Sequence, residues 1–528
     1  MTYPLPSFHP PCIRSFIALR GLAFCFGLVI ALFIPSFPVS GADKPLAYPV
    51  FTDATASAGF HADGYPFGNP IWGDFDADGD LDLFVDNHYN IPPYLYTNNG
   101  DGTFTDIFFH TGIRLPGDRH GSAWVDFDND GDLDLHVTIG ASRGKSLGTK
   151  QDELYVYEGN NQFVQEAEEA NITNTYGRAR STAWADYDHD GNLDALLGNL
   201  KTDLVLYHNN GDGTFTDATV AAGLAGLKYV EVTFADYDND GFPDIFCTDV
   251  MKNNPAHDLL MRNNGDGTFT DVTSQAGIQA LTNGRSVAWG DFNNDGKLDL
   301  FVSRGTDFGL KQTLYQNNGN GTFTDVTDSA GLGAVSNDRA AAWGDFDNDG
   351  YLDLYVVNSG SDPDGKGPNY LFRNKHDGTF ADVAANAGVQ ALVSSRGRGA
   401  AWADYDEDGF LDLFVTNGED NTDYVSGPQL LYHNSTNSNH WLKIKLVGTT
   451  SNRQGLGATV TILDGQDRQF REMNGAQGHY LSQGATPFHF GLGAATVVDR
   501  ITVKWPSGLT QLLRMVPADQ QLVVVEGR

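Results

Sequence analysis

Aspartate recurs in this chain at a spacing that makes a pocket for a hard cation. The pattern D-x-D-x-D-G-x-x-D, first met as DFDADGDLD from Asp74 to Asp82, gathers carboxylates at positions 1, 3, 5 and 9 around a glycine at position 6. A tight loop offering only oxygens suits calcium, whereas thiolates or imidazoles would point to zinc or copper. Four like charges held that close repel one another and open the turn unless a cation sits among them.

The pattern occurs seven times, so up to seven Ca2+ sites are expected. Their candidate ligands are Asp74, Asp76, Asp78 and Asp82 in loop 1, Asp126, Asp128, Asp130 and Asp134 in loop 2, and Asp186, Asp188, Asp190 and Asp194 in loop 3. Loop 4 offers Asp236, Asp238, Asp240 and Asp244; loop 5, Asp291, Asn293, Asp295 and Asp299; loop 6, Asp345, Asp347, Asp349 and Asp353; loop 7, Asp404, Asp406, Asp408 and Asp412. Asn293 keeps an oxygen but loses a charge, so loop 5 is expected to bind more weakly. In loop 1 the carbonyl of Asp80, at position 7, is a further expected ligand, while Asp86 falls in the following strand and is not one. An EF-hand needs a bidentate Glu at position 12, where these loops carry Val85, Val137, Leu197, Cys247, Val302, Val356 and Val415, and it needs flanking helices. The ligand positions of the loops hold 27 of the 68 acidic residues, so much of the formal charge of -35 is metal-site charge.

The elements that position the loops repeat with them. Successive loops start 50 to 60 residues apart, the length of one four-stranded propeller blade. Two residues before each first Asp stands a Trp (72, 124, 184, 289, 343, 402) or, in the fourth copy, Phe234, expected to pack between blades. An alternating strand such as LDLFV follows each loop, and then LYxNNGDGTFTD, with Asn-Gly and Asp-Gly marking tight turns. The chain enters this array on FTDATASAG, Phe51 to Gly59, and leaves the seventh repeat at LLYHN without the FTD that should follow. The two halves complete each other, so the N-terminal strand is expected to close the last blade and leave no long exposed edge. The expected fold is all-β, a seven-bladed β-propeller followed by a small C-terminal β-sandwich.

These repeats resemble the FG-GAP, or VCBS, repeats of integrin-α-like propellers, over about 49–434. Beyond a linker at 435–439, residues 440–528 with GLGATVTI, REMNGAQGHYLSQ and WPSG look like an ASPIC/UnbV domain, and the alternation of WLKIKL and ATVTIL independently suggests a small β-sandwich. The pairing resembles the secreted cartilage acidic protein family and its bacterial relatives. It implies a calcium-loaded extracellular interaction protein, with calcium bracing one face and partners on the other, and no defined reaction. Residues 1–42, with Arg14 and Arg20 ahead of the apolar run GLAFCFGLVIALFIPSF, read as a secretory signal peptide. The expected destination is extracellular or the cell surface, or the periplasm in a bacterium, with no membrane span after cleavage. Cleavage would leave Cys247 as the one cysteine, read as a small buried apolar residue with no disulfide partner.

The acidity argues against nucleic acid, whose phosphates need a basic face. No G-x-S-x-G, H-E-x-x-H or C-x-x-C is present, so the expectation is a non-enzyme that binds an extracellular glycan or protein. The alternative is an enzyme with its active site in the propeller funnel, acting on polysaccharides. Four residues before the repeat Trp stand His120, Arg180, Arg285, Arg339 and Arg398, beside Gly68 and Val230 in the other two copies. As a ring at one mouth of the channel they could clasp an acidic glycan through bidentate contacts. The competing reading has each Arg pairing with an Asp of its own or the next blade, bracing the ring.

Overall fold

Alternating apolar residues after each loop build sheets of one kind. The computed structural model describes residues 49–528 apart from 62–67, 88–91, 115–116, 141–149, 249–256, 306–310, 334–336, 361–366, 392–395, 419–427, 466, 475–476 and 479–486. The expected signal, 1–42, lies outside the described residues. Seven antiparallel sheets follow one another along the chain, each of four strands from within the ring. Their innermost strands are Pro70–Gly73, Arg119–Val125, Ala179–Ala185, Glu231–Ala235, Gly284–Gly290, Asp338–Gly344 and Arg396–Ala403. Each of these touches the next, and the seventh touches the first, so the sheets are the blades of a closed ring.

Closure is made as the split repeat requires. Phe51–Asp53 adds to the outer edge of blade 7, pairing antiparallel with Leu430–Asn434 in the register Phe51 to Asn434 and Asp53 to Tyr432. Phe51 is buried, with its ring centroid 5.9 Å from Phe346 and 6.1 Å from Trp402.

The core lies between blades rather than within them, because a single four-stranded sheet has two faces and can bury them only against its neighbours. Trp124 of blade 2 stacks on Phe75 of blade 1 at 5.3 Å, and Trp72 of blade 1 meets Phe414 of blade 7 edge-on at 6.1 Å. The repeat tryptophans are therefore interblade residues, as their position predicts. Cys247 is buried in the cluster between blades 3 and 4, and burial pushes its thiol pKa up.

Beyond the ring, two sheets face each other. One orders Phe488–Gly493, His440–Val447 and Gln520–Val525; the other orders Asp467–Glu472, Thr459–Asp464, Val497–Lys504 and Thr510–Pro517. Leu442, Ile444 and Leu446 of the first meet Val460, Ile462 and Ile501 of the second in one core. Ring and sandwich lie in one compact unit, Tyr48–Arg528. A two-residue strand of the sandwich domain, Gln477–Gly478, pairs antiparallel with Thr182 and Ala183 on the innermost strand of blade 3. It also touches the innermost strands of blades 2 and 4, so the chain enters its own central channel.

A carboxylate ties down the chain's last turn. Glu526 accepts the N–H groups of Thr449, Thr450 and Ser451 at 2.8, 2.7 and 2.9 Å and the hydroxyl of Ser507. Burial works to raise its pKa, but Ser507 and the three amides outweigh it and hold it at about 2. A folded pKa below the unfolded one stabilises above the ordinary glutamate range and loses that stabilisation as pH falls toward the folded value. Glu526→Gln is expected to lower the melting temperature at neutral pH and to flatten the loss of stability that wild type shows between about pH 4 and about pH 2; thermal melts across that range check it. At the ring closure, Phe51→Ala is expected to cost about 3–5 kcal/mol in a denaturant titration, the range for an emptied aromatic core site.

Candidate metal centres

Each loop is shaped by backbone that most residues avoid. Position 4 adopts a left-handed conformation in all seven copies, at Ala77, Asn129, His189, Asn239, Asn294, Asn348 and Glu407, with φ between 54 and 62°. Asparagine tolerates that region better than most residues, which accounts for its four occurrences there. The same asparagines reach sideways: Asn129, Asn294 and Asn348 donate through Nδ2 to the position-6 carbonyls Gly191, Gly350 and Gly409 of the following loops at 3.1, 2.9 and 2.9 Å. The turn folds the backbone around the first carboxylate. Asp186 accepts the N–H of Asp190 and of Gly191 at 3.0 Å each, and Asp236, Asp291 and Asp345 repeat the pattern.

Position 9 differs from the others in being buried in every copy: Asp82, Asp134, Asp194, Asp244, Asp299, Asp353 and Asp412. One oxygen accepts a backbone N–H from the third strand of its own blade, from Asn98, Tyr157, Asn209, Asn263, Asn317, Asn374 and Asn434, at 2.8 to 3.0 Å. In six copies the other accepts the N–H of position 2, as Phe75 donates to Asp82 at 3.2 Å. Burial pushes Asp82 and Asp134 up to about 9, and Asp244, Asp299, Asp353 and Asp412 well above the usual carboxylate range, against the backbone donors and, at Asp412, against His433.

The asparagine of LYxN has a second task that the sequence does not advertise. Its side chain crosses to the preceding blade and donates to the carbonyl of loop position 2: Asn98 to Tyr405 at 2.8 Å, Asn209 to Phe127 at 2.8 Å, Asn434 to Phe346 at 2.7 Å. Asn263, Asn317 and Asn374 do the same, and blade 2 alone carries Tyr157 instead. Every such bond links one loop's backbone to the strand that locks the next.

These groups fit a cation. Acceptor atoms of Asp74, Asp76 and Asp78, of Asp126, Asp128 and Asp130, and of Asp186, Asp188 and Asp190 lie within 4.8 Å of one another in each set. Oxygens Oδ1 of Asp126, Oδ2 of Asp134 and Oδ1 of Asp404 are buried with no hydrogen-bond partner, the state of an atom that needs a positive ligand. His208 and His433, on third strands, join two clusters: Nδ1 of His208 is 3.3 Å from both Asp188 and Asp194, and Nδ1 of His433 is 3.3 Å from Asp406 and 3.2 Å from Asp412. Sequence reading named the aspartates and missed these histidines, because their partners lie upstream in the chain, in a loop that no local motif connects to the third strand.

The loop face carries the sandwich domain. Alternation in WLKIKL turns Leu442, Ile444 and Leu446 into that domain's core and Lys443 and Lys445 toward the ring. Lys443 Nζ lies 2.7 Å from Asp404 Oδ2, both side chains buried, and Lys445 Nζ is 3.2 Å from Asp74 Oδ2. Gln454 accepts the N–H of Asp126 at 3.0 Å, and Glu472 accepts that of Asp236 at 3.1 Å. Arg471 faces Asp345 and Asp291; burial lowers its pKa and those two carboxylates oppose the shift. A cavity of about 260 Å³ remains here, lined by Trp289, Trp343, Trp402, Lys443, Arg471 and His489 among others.

The five basic residues sit at the other end of the innermost strands. His120 Nε2 and Arg180 Nη1 converge on Asp118 Oδ2, at 3.3 and 3.8 Å, and Arg180 thereby joins blade 3 to blade 2. Arg285 is buried, Arg398 fully so, while half-buried Arg339 donates to Ser359 Oγ at 3.3 Å. A further buried link, unmarked by any motif, joins Arg304 of blade 5 to Asp258 of blade 4.

Residues 74–137, 190–247, 248–302, 307–356 and 357–415 match the model of the FG-GAP-like repeat, and 283–323 match that of the FG-GAP repeat. The chain belongs to the FG-GAP-like repeat family. Residues 448–528 match the ASPIC and UnbV family, so the sandwich that covers the FG-GAP loops has relatives of its own. Cartilage acidic protein 1 of Xenopus tropicalis is 29% identical over 421 residues, covering 74% of this chain and 62% of that protein. The human protein of that name is 27% identical over 417 residues, covering 74% and 61%. The match thus spans about three fifths of the length of these two relatives. Among solved structures, the BBS1N–ARL6DN complex aligns at 10% identity and TM-score 0.44 over 74% of this chain and 98% of that one. The BP39L lectin from Burkholderia pseudomallei aligns at 10% identity and TM-score 0.43 over 67% and 93%.

Removing one partner of the buried pair between the FG-GAP loops and the sandwich leaves a charge without its counter-ion. Lys443→Met is therefore expected to destabilise the protein by about 3–5 kcal/mol, and Lys443→Met with Asp404→Asn by less than the single change; chemical denaturation of the two variants checks the order.

Proposed function

We propose that the chain is an extracellular binding or adhesion module whose propeller is stabilised by calcium. The observation that carries the reading is the sevenfold repetition of a loop whose buried carboxylates are costly without a cation, with Asp126, Asp134, Asp347 and Asp404 each leaving an oxygen unpartnered. Positions 1, 3, 5 and 9 of each loop, with Asn293 at position 3 of loop 5, would hold the ion, and calcium suits a site so dense in protein oxygens better than magnesium. When bound it neutralises the loop and braces strand to strand. The side chains of this protein do the rest: position 9 orients the third strand, and the LYxN asparagine passes that order to the neighbouring blade.

The loop face is covered by the sandwich domain and the channel is entered by Gln477–Gly478. The ligand surface of the proposal is accordingly the opposite mouth, and the ligand an acidic glycan or a protein. Support for Arg180 and His120 as ligand groups is weaker than support for their bracing role, since both already face Asp118. Secretion is part of the proposal, on the leader-like residues 1–42 and the similarity to cartilage acidic protein 1; no helix among the described residues is long and apolar enough to cross a membrane.

Calcium is expected to raise the melting temperature and a chelator to lower it, because a ligand bound only by the folded state stabilises it, by about 2.7 kcal/mol per site at one hundred times its Kd. A melting temperature indifferent to both would overturn the calcium reading. Capture of acidic glycans on an array in millimolar calcium, lost on chelation, is the expected sign of the binding function, and undiminished capture by Arg180→Ala, Arg285→Ala and Arg339→Ala combined would remove the basic ring from it.

A further inference from the structure

The seven loops are alike in their aspartates and unlike at one third-strand position, whose side chain meets the carboxylates in loops 3, 6 and 7. It is the third-strand residue immediately before the one whose N–H locks position 9: Thr97, Val156, His208, Arg262, Gln316, Arg373 and His433 for loops 1 to 7. In loop 6 this residue enters the cluster. Arg373 Nε lies 2.5 Å from Asp347 Oδ2 and Nη2 lies 2.7 Å from Asp349 Oδ2, bridging positions 3 and 5 with the side chain largely buried. His376 Nε2 adds a contact of 2.8 Å to the same Asp349 oxygen, and Arg471 faces the loop's first aspartate, Asp345.

A guanidinium has five donors, no lone pair to give a metal, and a charge it does not lose in proteins. An imidazole in the same place, as at His208 or His433, can offer a lone pair instead. Loop 2, by contrast, has apolar Val156 there and keeps two buried carboxylate oxygens, Asp126 Oδ1 and Asp134 Oδ2, without partners. We infer that Arg373 is the built-in counter-ion of loop 6, standing between Asp347 and Asp349 where calcium would bind, so that this loop is folded without metal while loop 2 depends on it.

The inference rests on the calcium reading of the loops and refines it: the seven sites are not equivalent, and the side chain at one third-strand position sets which of them take the ion. Asp347 Oδ1 remains buried without a partner, so loop 6 has the oxygens to accept calcium once the guanidinium is gone.

The experiment is calcium binding to the purified full chain, by equilibrium dialysis and titration calorimetry, for wild type, Arg373→Gln and Val156→Arg. Arg373→Gln should bind one more calcium per chain than wild type, or bind one of them at least tenfold more tightly, and Val156→Arg should bind one fewer. Unchanged stoichiometry and affinities in Arg373→Gln, with wild type binding calcium, would overturn the inference and leave the calcium reading standing. No binding by any of the three would overturn both. Should Arg373→Gln fail to fold, Val156→Arg decides: a full wild-type complement of calcium in that variant overturns the inference, and the loss of one site supports it.

Discussion

Seven carboxylates taken out of water set the terms for the rest of the molecule. A buried aspartate is tolerable only if its charge is suppressed or met. Here each position-9 aspartate is given a backbone donor by the third strand of its blade and, in six of the seven copies, a second by the turn of its own loop. Those donors fix where the third strand must lie, and that strand carries both the LYxN asparagine and the side chain that faces the acidic cluster. Loop, strand and neighbouring blade are thereby one connected arrangement rather than three independent ones, and a cation in the cluster acts on all of them.

The ring propagates this order around a circle. Trp124 and Trp343 stack on the aromatic residue at loop position 2 of the preceding blade, Phe75 and Phe292, while in six blades the LYxN asparagine side chain bonds the carbonyl of a preceding position 2. At Phe292 apolar packing and a directional hydrogen bond act on the same residue, Trp343 stacking on its ring and Asn374 donating to its carbonyl. Packing alone would allow blades to slide past one another, and the bond to a single carbonyl does not. Splitting the last blade between the two ends of the array, with Phe51–Asp53 on Leu430–Asn434, means that the circle cannot form until the chain's distant segments meet.

Repetition made most of this legible from sequence. The period, the loop aspartates and the tryptophan positions all recur at fixed offsets, and the split blade shows as the one repeat divided between two ends of the array. The alternation of WLKIKL showed which residues turn into the sandwich, but alternation gives a face and not its neighbour: Lys443 and Lys445 read as the outer side of a sheet and lie instead against aspartates about 40 and 370 residues away. For the same reason Glu472 and Arg471 gave no sign of meeting Asp236, Asp291 and Asp345. The basic ring was found by its offset from the tryptophan, while Arg304 and Asp258, with no repeated offset, were invisible until folded. The LYxN asparagine drew no reading of its own, because the Asn-Gly that follows it accounts for the local turn and its longer reach is a property of the ring.

Near-identical repeats in a circle pose a problem of indexing. A domain laid on such a ring meets seven similar settings, each with an aspartate at position 1. The short pairing of Gln477–Gly478 with Thr182 and Ala183 lies in the ring's central channel, and among the described residues its strand pairing there is with blade 3. That strand works as a key in a combination lock: with it seated, Lys443 falls on loop 7, Lys445 on loop 1 and Glu472 on loop 4, and the ring's rotational near-symmetry is broken once for the whole molecule. Each repeat then acquires an address, and the small departures among the loops, Asn293 in one and Arg373 beside another, become differences in place as well as in sequence.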